Sequence, residues 1–289
     1  MLKGLIKTMR LRQWTKNGFI FFGLIFDKQL FLPGPFLRTL EGFFLFCLIS
    51  SAVYLLNDIA DVEADRNHPE KKFRPIASGK LPVGVATVVA MLLTVIALPL
   101  GYLLSPIFAL ILTAYLIINL LYSRWLKHVP ILDVMIISSG FVLRVAAGVA
   151  LITVERFSPW LYMITILFSL YIGLGKRRAE LNLLAQGASS HRKVFDGYTL
   201  PLLDQYITIV SGMTVVAYSL YTFSAPNLPE NHAMMLTIPF VVYGIFRYLQ
   251  LIQTGHAAGS PDEVALKDRP LQVTVVLWGL AVIAVFYLS

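Results

Sequence analysis

The chain has 289 residues, of which 57% are hydrophobic and 14% charged, with a formal net charge of +8. Soluble domains carry about 25% charged residues, and no water-soluble fold hides this much apolar surface behind so few charges. The single cysteine, Cys47, excludes an intrachain disulfide and, inside an apolar run, reads as a small core residue.

The N-terminal segment 1–16 comes first. Leu2, Leu5, Ile6 and Met9 recur at helical spacing among Lys3, Lys7, Arg10 and Arg12, the pattern of an interfacial amphipathic helix on an anionic leaflet. No short apolar segment with a small-residue cleavage site follows, so no cleavable signal peptide is expected. A spanning helix needs about 20 mainly apolar residues. Nine candidates follow: 17–33, 40–57, 84–104, 106–123, 131–152, 160–177, 204–224, 233–252 and 271–288. The first is short and carries Gly18, Gly23 and Asp27; a tight turn at Ser105 and Pro106 joins the third to the fourth. These elements predict an all-α, polytopic membrane helix bundle forming one domain over 1–289.

Lys and Arg in the loops set the orientation. With the N-terminus inside, twenty fall on the inner side and three, Lys28, Arg38 and Arg156, on the outer side, while Arg144 lies within a span. The expected location is the plasma or inner membrane, with the N-terminus and the long polar segments 58–83, 178–203 and 253–270 in the cytoplasm. This bias explains much of the net charge, so the charge implies no nucleic-acid partner and does not by itself demonstrate an anionic substrate. The sequence is compatible with a homo-oligomer and does not set the oligomeric state.

The densest chemistry closes the second span. Asn57, Asp61 and Asp65 are spaced i, i+4, i+8, and Asp58 precedes Asp61 by three, so on one helix they share a face. Carboxylates this close repel unless a cation sits between them, and a small set of hard oxygens suits Mg²⁺, which takes its other ligands from water and substrate phosphates. Acids at the end of an apolar span are expensive and usually functional. The following loop, His68 to Gly79, carries Lys71, Lys72 and Arg74; Arg74 can grip phosphate oxygens with two donors, and His68 is read as structural. In the fifth span Asp133 and Arg144 stand eleven residues apart, too far to pair within one helix, so each is expected to face the interior. Tyr122 is placed either to bond a phosphate or to anchor at the interface.

Together these residues resemble the UbiA superfamily of intramembrane prenyltransferases. Its Asn-Asp-x-x-Asp-x-x-x-Asp signature runs unbroken from Asn57 to Asp65, and its Tyr-Ser signature followed by a lysine is matched by Tyr122, Ser123 and Lys127. The resemblance implies a UbiA-like bundle and Mg²⁺ held by Asn57, Asp58, Asp61 and Asp65. The superfamily's second acidic motif departs here: Lys176-Arg177-Arg178-Ala179-Glu180-Leu181 keeps one acid, Glu180, and adds positive charge. That variant is similar to a branch, the decaprenyl-phosphate phosphoribosyltransferases, which the chain also resembles in Arg12 to Asn17, in the His68 to Gly79 loop, and in Arg192-Lys193 followed by Tyr198-Thr199.

The branch implies transfer from 5-phosphoribosyl 1-diphosphate to a polyprenyl phosphate, with release of pyrophosphate. On that reading Asp58, Asp61, Asp65 and Glu180 are the catalytic acids. Lys176, Arg177 and Arg74 are candidates for the donor's other phosphate, and Lys16, Lys127 and Arg144 for the acceptor phosphate. Asn17, Lys71, Tyr122, Arg192, Lys193 and Tyr198 complete the expected substrate-binding set. Two rival readings remain open: a prenyltransferase of the same fold, which an intact second acidic motif would favour, and a membrane transporter, which would scatter polar residues through several spans. The signature of the CDP-alcohol phosphotransferases is absent.

Overall fold

The computed structural model describes residues 1–154, 159–185, 193–226, 228–254 and 267–288. The helices, in chain order, are α1 (Leu2–Met9), α2 (Phe22–Phe26), α3 (Pro33–Ala60), α4 (Val62–Arg66), α5 (Val83–Leu104), α6 (Pro106–Arg124), α7 (Leu132–Val149), α8 (Pro159–Ala185), α9 (Leu200–Ser224), α10 (Ile238–Gln253) and α11 (Arg269–Leu288), joined in places by 3-10 turns. No strand occurs among the described residues. Eight helical segments among them are long and apolar enough to cross a membrane, one fewer than the nine spans expected. The chain is a multi-pass membrane protein.

The difference lies in 17–33. Leu11–Phe21 is a 3-10 stretch and only Phe22–Phe26 is α-helical. Long 3-10 runs are unusual because their hydrogen-bond geometry is poor, and this one is held by tertiary bonds. Trp14 Nε1 donates to Ser51 Oγ at 3.0 Å, and Asn17 Nδ2 donates to Ser50 Oγ at 3.1 Å and to Cys47 Sγ at 3.1 Å. The amphipathic helix is likewise shorter than 1–16: it ends at Met9, and Arg10 turns the chain with φ 52.

The remaining boundaries follow local rules. Proline occupies the first turn of α3, α6, α9 and α10, where its missing N–H breaks no helical bond. Ser105 Oγ caps α6 by accepting from Phe108 N, and Thr199 Oγ1 caps α9 by accepting from Leu202 N.

The chain forms two compact units. The first comprises Met1–Ile25, Gln29–Val129 and Leu143–Val154, and the second Phe26–Lys28, Pro130–Val142 and Glu155–Ser289. The first has two cores, one around Phe46, Ile49, Phe108 and Leu112, the other around Leu55, Ile76 and Leu81. The second is built on Tyr171, Leu203, Ile207 and Tyr248. Within the first unit an ideal Cβ on Gly148 would stand 1.9 Å from the Ile20 carbonyl oxygen. The Gly148→Ala variant must displace the 3-10 stretch, and we expect a loss of about 3 kcal/mol, at the upper end for overpacking; thermal unfolding in detergent reads it, and an unchanged midpoint contradicts the close approach.

Candidate active site

The acidic motif lies in the first unit. α3 stops at Ala60, Asp61 sits between helices with φ −94 and ψ 5, and α4 restarts at Val62. The expected single helix from Asn57 to Asp65 is therefore broken at Asp61. The i, i+4 spacing survives the break, because Asp61 N donates to Asn57 O at 3.0 Å and Asp65 N to Asp61 O at 2.8 Å.

Each acid of the motif meets a cation. Asp58, 4% exposed, accepts at Oδ1 from Arg10 Nη2 at 2.8 Å and from Arg74 Nη1 at 3.2 Å. The same Arg74 nitrogen donates to Asp65 Oδ2 at 2.8 Å. Lys127 Nζ, from the turn after α6, donates to Asp61 Oδ1 at 2.8 Å. Asp58 and Asp65 are buried, whereas about a third of the Asp61 side chain is exposed. Arg74 therefore binds two carboxylates at once.

Arg10 is the site residue that sequence reasoning missed. Its place in the amphipathic pattern suggests a membrane-facing cation, and nothing in the local sequence marks the left-handed turn that aims its guanidinium at Asp58 and sets it 4.8 Å from the Tyr54 ring.

Asn57 Oδ1 is buried and has no hydrogen-bond partner among the described residues. Buried polar atoms are nearly always satisfied, and an exception marks strain, a functional role or a place for an ion or water. Among the described residues no three His, Cys, Asp or Glu side chains form a ready-made metal cage. Mg²⁺ does not need one, since it is commonly held by one or two protein oxygens plus water and phosphate. An orphaned amide oxygen four residues before a part-exposed carboxylate fits that requirement.

A second polar cluster of this unit centres on Arg144. Arg144, 5% exposed, donates through Nε to Asn17 Oδ1 at 2.8 Å and through Nη2 to Tyr115 Oη at 2.9 Å. The Phe46 ring centre lies 5.3 Å from its guanidinium, so two neutral dipoles and aromatic faces stabilise the buried charge. Lys16 and Tyr122 are half-buried. His68 Nδ1 accepts from the N–H groups of Glu70 and Lys71, each at 3.2 Å. Partial burial, and then the Lys71 charge, hold this imidazole below its ordinary range, which favours the acceptor role and matches the structural reading.

In the second unit Arg177, 2% exposed, donates through Nε to Asp133 Oδ2 and through Nη1 to Glu180 Oε2 at 2.5 Å. Tyr198 Oη donates to Asp133 Oδ1 at 2.7 Å and accepts from Ile131 N at 2.6 Å. Burial, then the Asp133 hydrogen bond, push the Tyr198 phenol up. Arg178 pairs with Asp204 at 2.5 Å and Gln253 at 2.9 Å. The extra positive charge beside Glu180 is thus partly spent on carboxylates within the fold, as a guanidinium in a low-dielectric helix end requires. Lys176 is half-buried. Asp133 and Arg144 both face a protein interior, as their separation predicted. Arg156 and Arg192 lie outside the described residues, and Lys193 opens the 3-10 turn before Tyr198.

Three comparisons bear on this arrangement. The model of the UbiA prenyltransferase family matches residues 18–262. A protein of Mycolicibacterium smegmatis named decaprenyl-phosphate phosphoribosyltransferase is 36% identical over 309 residues, covering 100% of this chain and 94% of its own length. A protein of the same name from Mycobacterium tuberculosis is 35% identical over 287 residues, covering 96% of this chain and 92% of its own. Among solved structures, a UbiA homologue from Archaeoglobus fulgidus bound to DMAPP and Mg²⁺ superposes with a TM-score of 0.74 at 15% identity, covering 99% of each chain; at that identity the likeness concerns the fold. The family match over most of the chain, together with relatives of this identity over nearly its whole length, establishes that the chain belongs to the UbiA prenyltransferase family.

Proposed function

We propose that this protein transfers the phosphoribosyl group of 5-phosphoribosyl 1-diphosphate to a polyprenyl phosphate. The C1–O bond to the diphosphate breaks, a C1–O bond to the lipid phosphate forms, and pyrophosphate leaves. Near-full-length similarity to two relatives that carry this activity in their names supports the reaction class. The observation that carries the site assignment is the orphaned Asn57 Oδ1, four residues before Asp61.

Asn57 and Asp61 would hold Mg²⁺, while Asp58 and Asp65 fix Arg74 at the rim of the motif. Bound there with the diphosphate, the ion supplies charge neutralisation of the leaving group. Lys127 neutralises Asp61 before substrate arrives and is 26% exposed, so its ammonium can turn to a diphosphate oxygen once the carboxylate is otherwise engaged. The acceptor is already an anion and needs no strong base, so positioning and charge stabilisation carry the rate. Arg144, Asn17 and Lys16 are proposed to serve the acceptor phosphate. The inner-side excess of Lys and Arg supports a cytoplasmic site.

The test is incubation of purified protein with labelled phosphoribosyl diphosphate and a polyprenyl phosphate. We expect a labelled lipid, its loss with EDTA, and recovery with Mg²⁺. A labelled product from prenyl diphosphate and an aromatic acid, with none from the phosphoribosyl donor, would favour the prenyltransferase reading. Formation of the lipid in EDTA would remove the metal.

A further inference from the structure

The N-terminal helix ends at Arg10, one of the two cations that hold Asp58, and packs against Pro75, the neighbour of the other, Arg74. Its Met9 carbonyl accepts from Ser51 Oγ at 3.2 Å, and Leu5 and Met9 pack on the Ile76 and Leu81 core. An ideal Cβ on Gly4 would lie 3.4 Å from Pro75 Cβ, so α1 lies close against the residue that follows Arg74. Arg10 itself is the C-cap of α1, its N–H donating to Lys7 O. The direction of its side chain is therefore set by the last turn of α1. Arg10 holds a left-handed φ of 52, a conformation disfavoured for a residue with a Cβ, and it persists only while its surroundings impose it.

The side of α1 turned away from that core presents Leu2 and Ile6, 68% and 45% exposed, beside Lys3 and Lys7, which are also exposed. An eight-residue helix is too short to be stable without outside contacts. Apolar side chains flanked by lysines, at the surface of a membrane-embedded chain, complement an anionic lipid surface in both polarity and charge.

We propose that α1 docks on anionic lipid headgroups and that Arg10 transmits this docking to Asp58, so that anionic lipid strengthens diphosphate binding at the acidic motif. Lipid contact through Lys3, Lys7, Leu2 and Ile6 holds α1 against Pro75. That position keeps the Arg10 and Arg74 guanidiniums on one carboxylate oxygen and the end of α3 in place beside Asn57 and Asp61. Release of α1 frees Arg10 from its imposed conformation and leaves Asp58, nearly buried, with one cation fewer. The inference rests on the reading that this motif binds a diphosphate, and it is independent of which group is transferred.

The full chain is placed in vesicles of phosphatidylcholine alone or with phosphatidylglycerol, at fixed free Mg²⁺. Hydrogen exchange of residues 2–9 and binding of labelled pyrophosphate are measured in each. We expect α1 to be protected, and pyrophosphate to bind more tightly, in the anionic vesicles. The Lys3→Glu/Lys7→Glu variant should lose both differences, about fivefold per lysine, and keep wild-type binding in the neutral vesicles. Arg10→Lys should retain lipid-dependent protection of α1 and lose the lipid dependence of pyrophosphate binding. Equal protection of α1 in both vesicles overturns the docking. Lipid-dependent pyrophosphate binding that persists in Arg10→Lys overturns the coupling. Wild-type protein that binds no pyrophosphate in either vesicle overturns the diphosphate reading, while hydrogen exchange still decides the docking.

Discussion

The Asp61→Ala variant is expected to lose phosphoribosyl transfer by a factor of about a thousand or more while remaining folded. Asp61 supplies the exposed carboxylate of the motif, four residues after the unpartnered Asn57 oxygen. Without it, the proposed ion keeps one protein oxygen, and charge neutralisation of the leaving diphosphate, worth several kcal/mol, is forfeited. Structure should survive, because the Lys127 pair is part-exposed on both sides and such pairs contribute about 1 kcal/mol or less. Label transfer to lipid and the thermal midpoint in detergent, measured together, separate the two effects. Near-normal turnover in a folded variant would end the assignment of Asp61 to the metal.

The Arg177→Met variant should fail in the opposite way, through stability. Asp133 is fully buried, and its Oδ2 accepts from Arg177 Nε. Removing the guanidinium leaves a carboxylate in the protein interior with the Tyr198 hydroxyl and no charge partner among the contacts described. Breaking a buried pair in this way costs about 3–5 kcal/mol. The double variant Asp133→Asn/Arg177→Met should recover much of that loss, because the uncompensated charge is gone. A strongly non-additive double-mutant cycle is the signature of direct coupling. Additive losses would mean that Asp133 and Arg177 are each held by other groups.

The two cases mark what kind of role a local sequence can reveal. Asn57, Asp58, Asp61 and Asp65 stand out in the sequence because four oxygen-bearing side chains closing an apolar span have few structural uses. The interior position of Asp133 and Arg144 was legible for the same reason. Their partners were not. Arg177 lies 44 residues from Asp133, Arg74 lies 16 from Asp58, and Arg144 lies 127 from Asn17. Neighbouring cations in a polar loop offer no signal that says which will turn toward a phosphate and which toward a carboxylate. Arg10 is the sharpest example, since it meets Asp58, 48 residues away, from a left-handed turn that its neighbours in sequence do not announce.

The first expected span lacks a regular helix for a related reason. Residues 17–33 are apolar enough to suggest a helix, and hydrophobicity along one segment carries no record of the hydrogen bonds from Trp14 and Asn17 to α3, or of Gly148 closing on Ile20. Those contacts impose a 3-10 path on a stretch whose composition suggested a regular span.

By itself the sequence determined the membrane class, the series of apolar segments and the acidic motif, because the absence of water in a bilayer forces long apolar helices and makes each stray carboxylate conspicuous. Only the tertiary structure decided which cation meets which acid, where the motif's helix breaks, and that the N-terminal helix reaches Asp58. Charges from distant segments settle against one another only after the helices pack, since in a low-dielectric interior an ion finds its stability in its neighbours and not in its place along the chain.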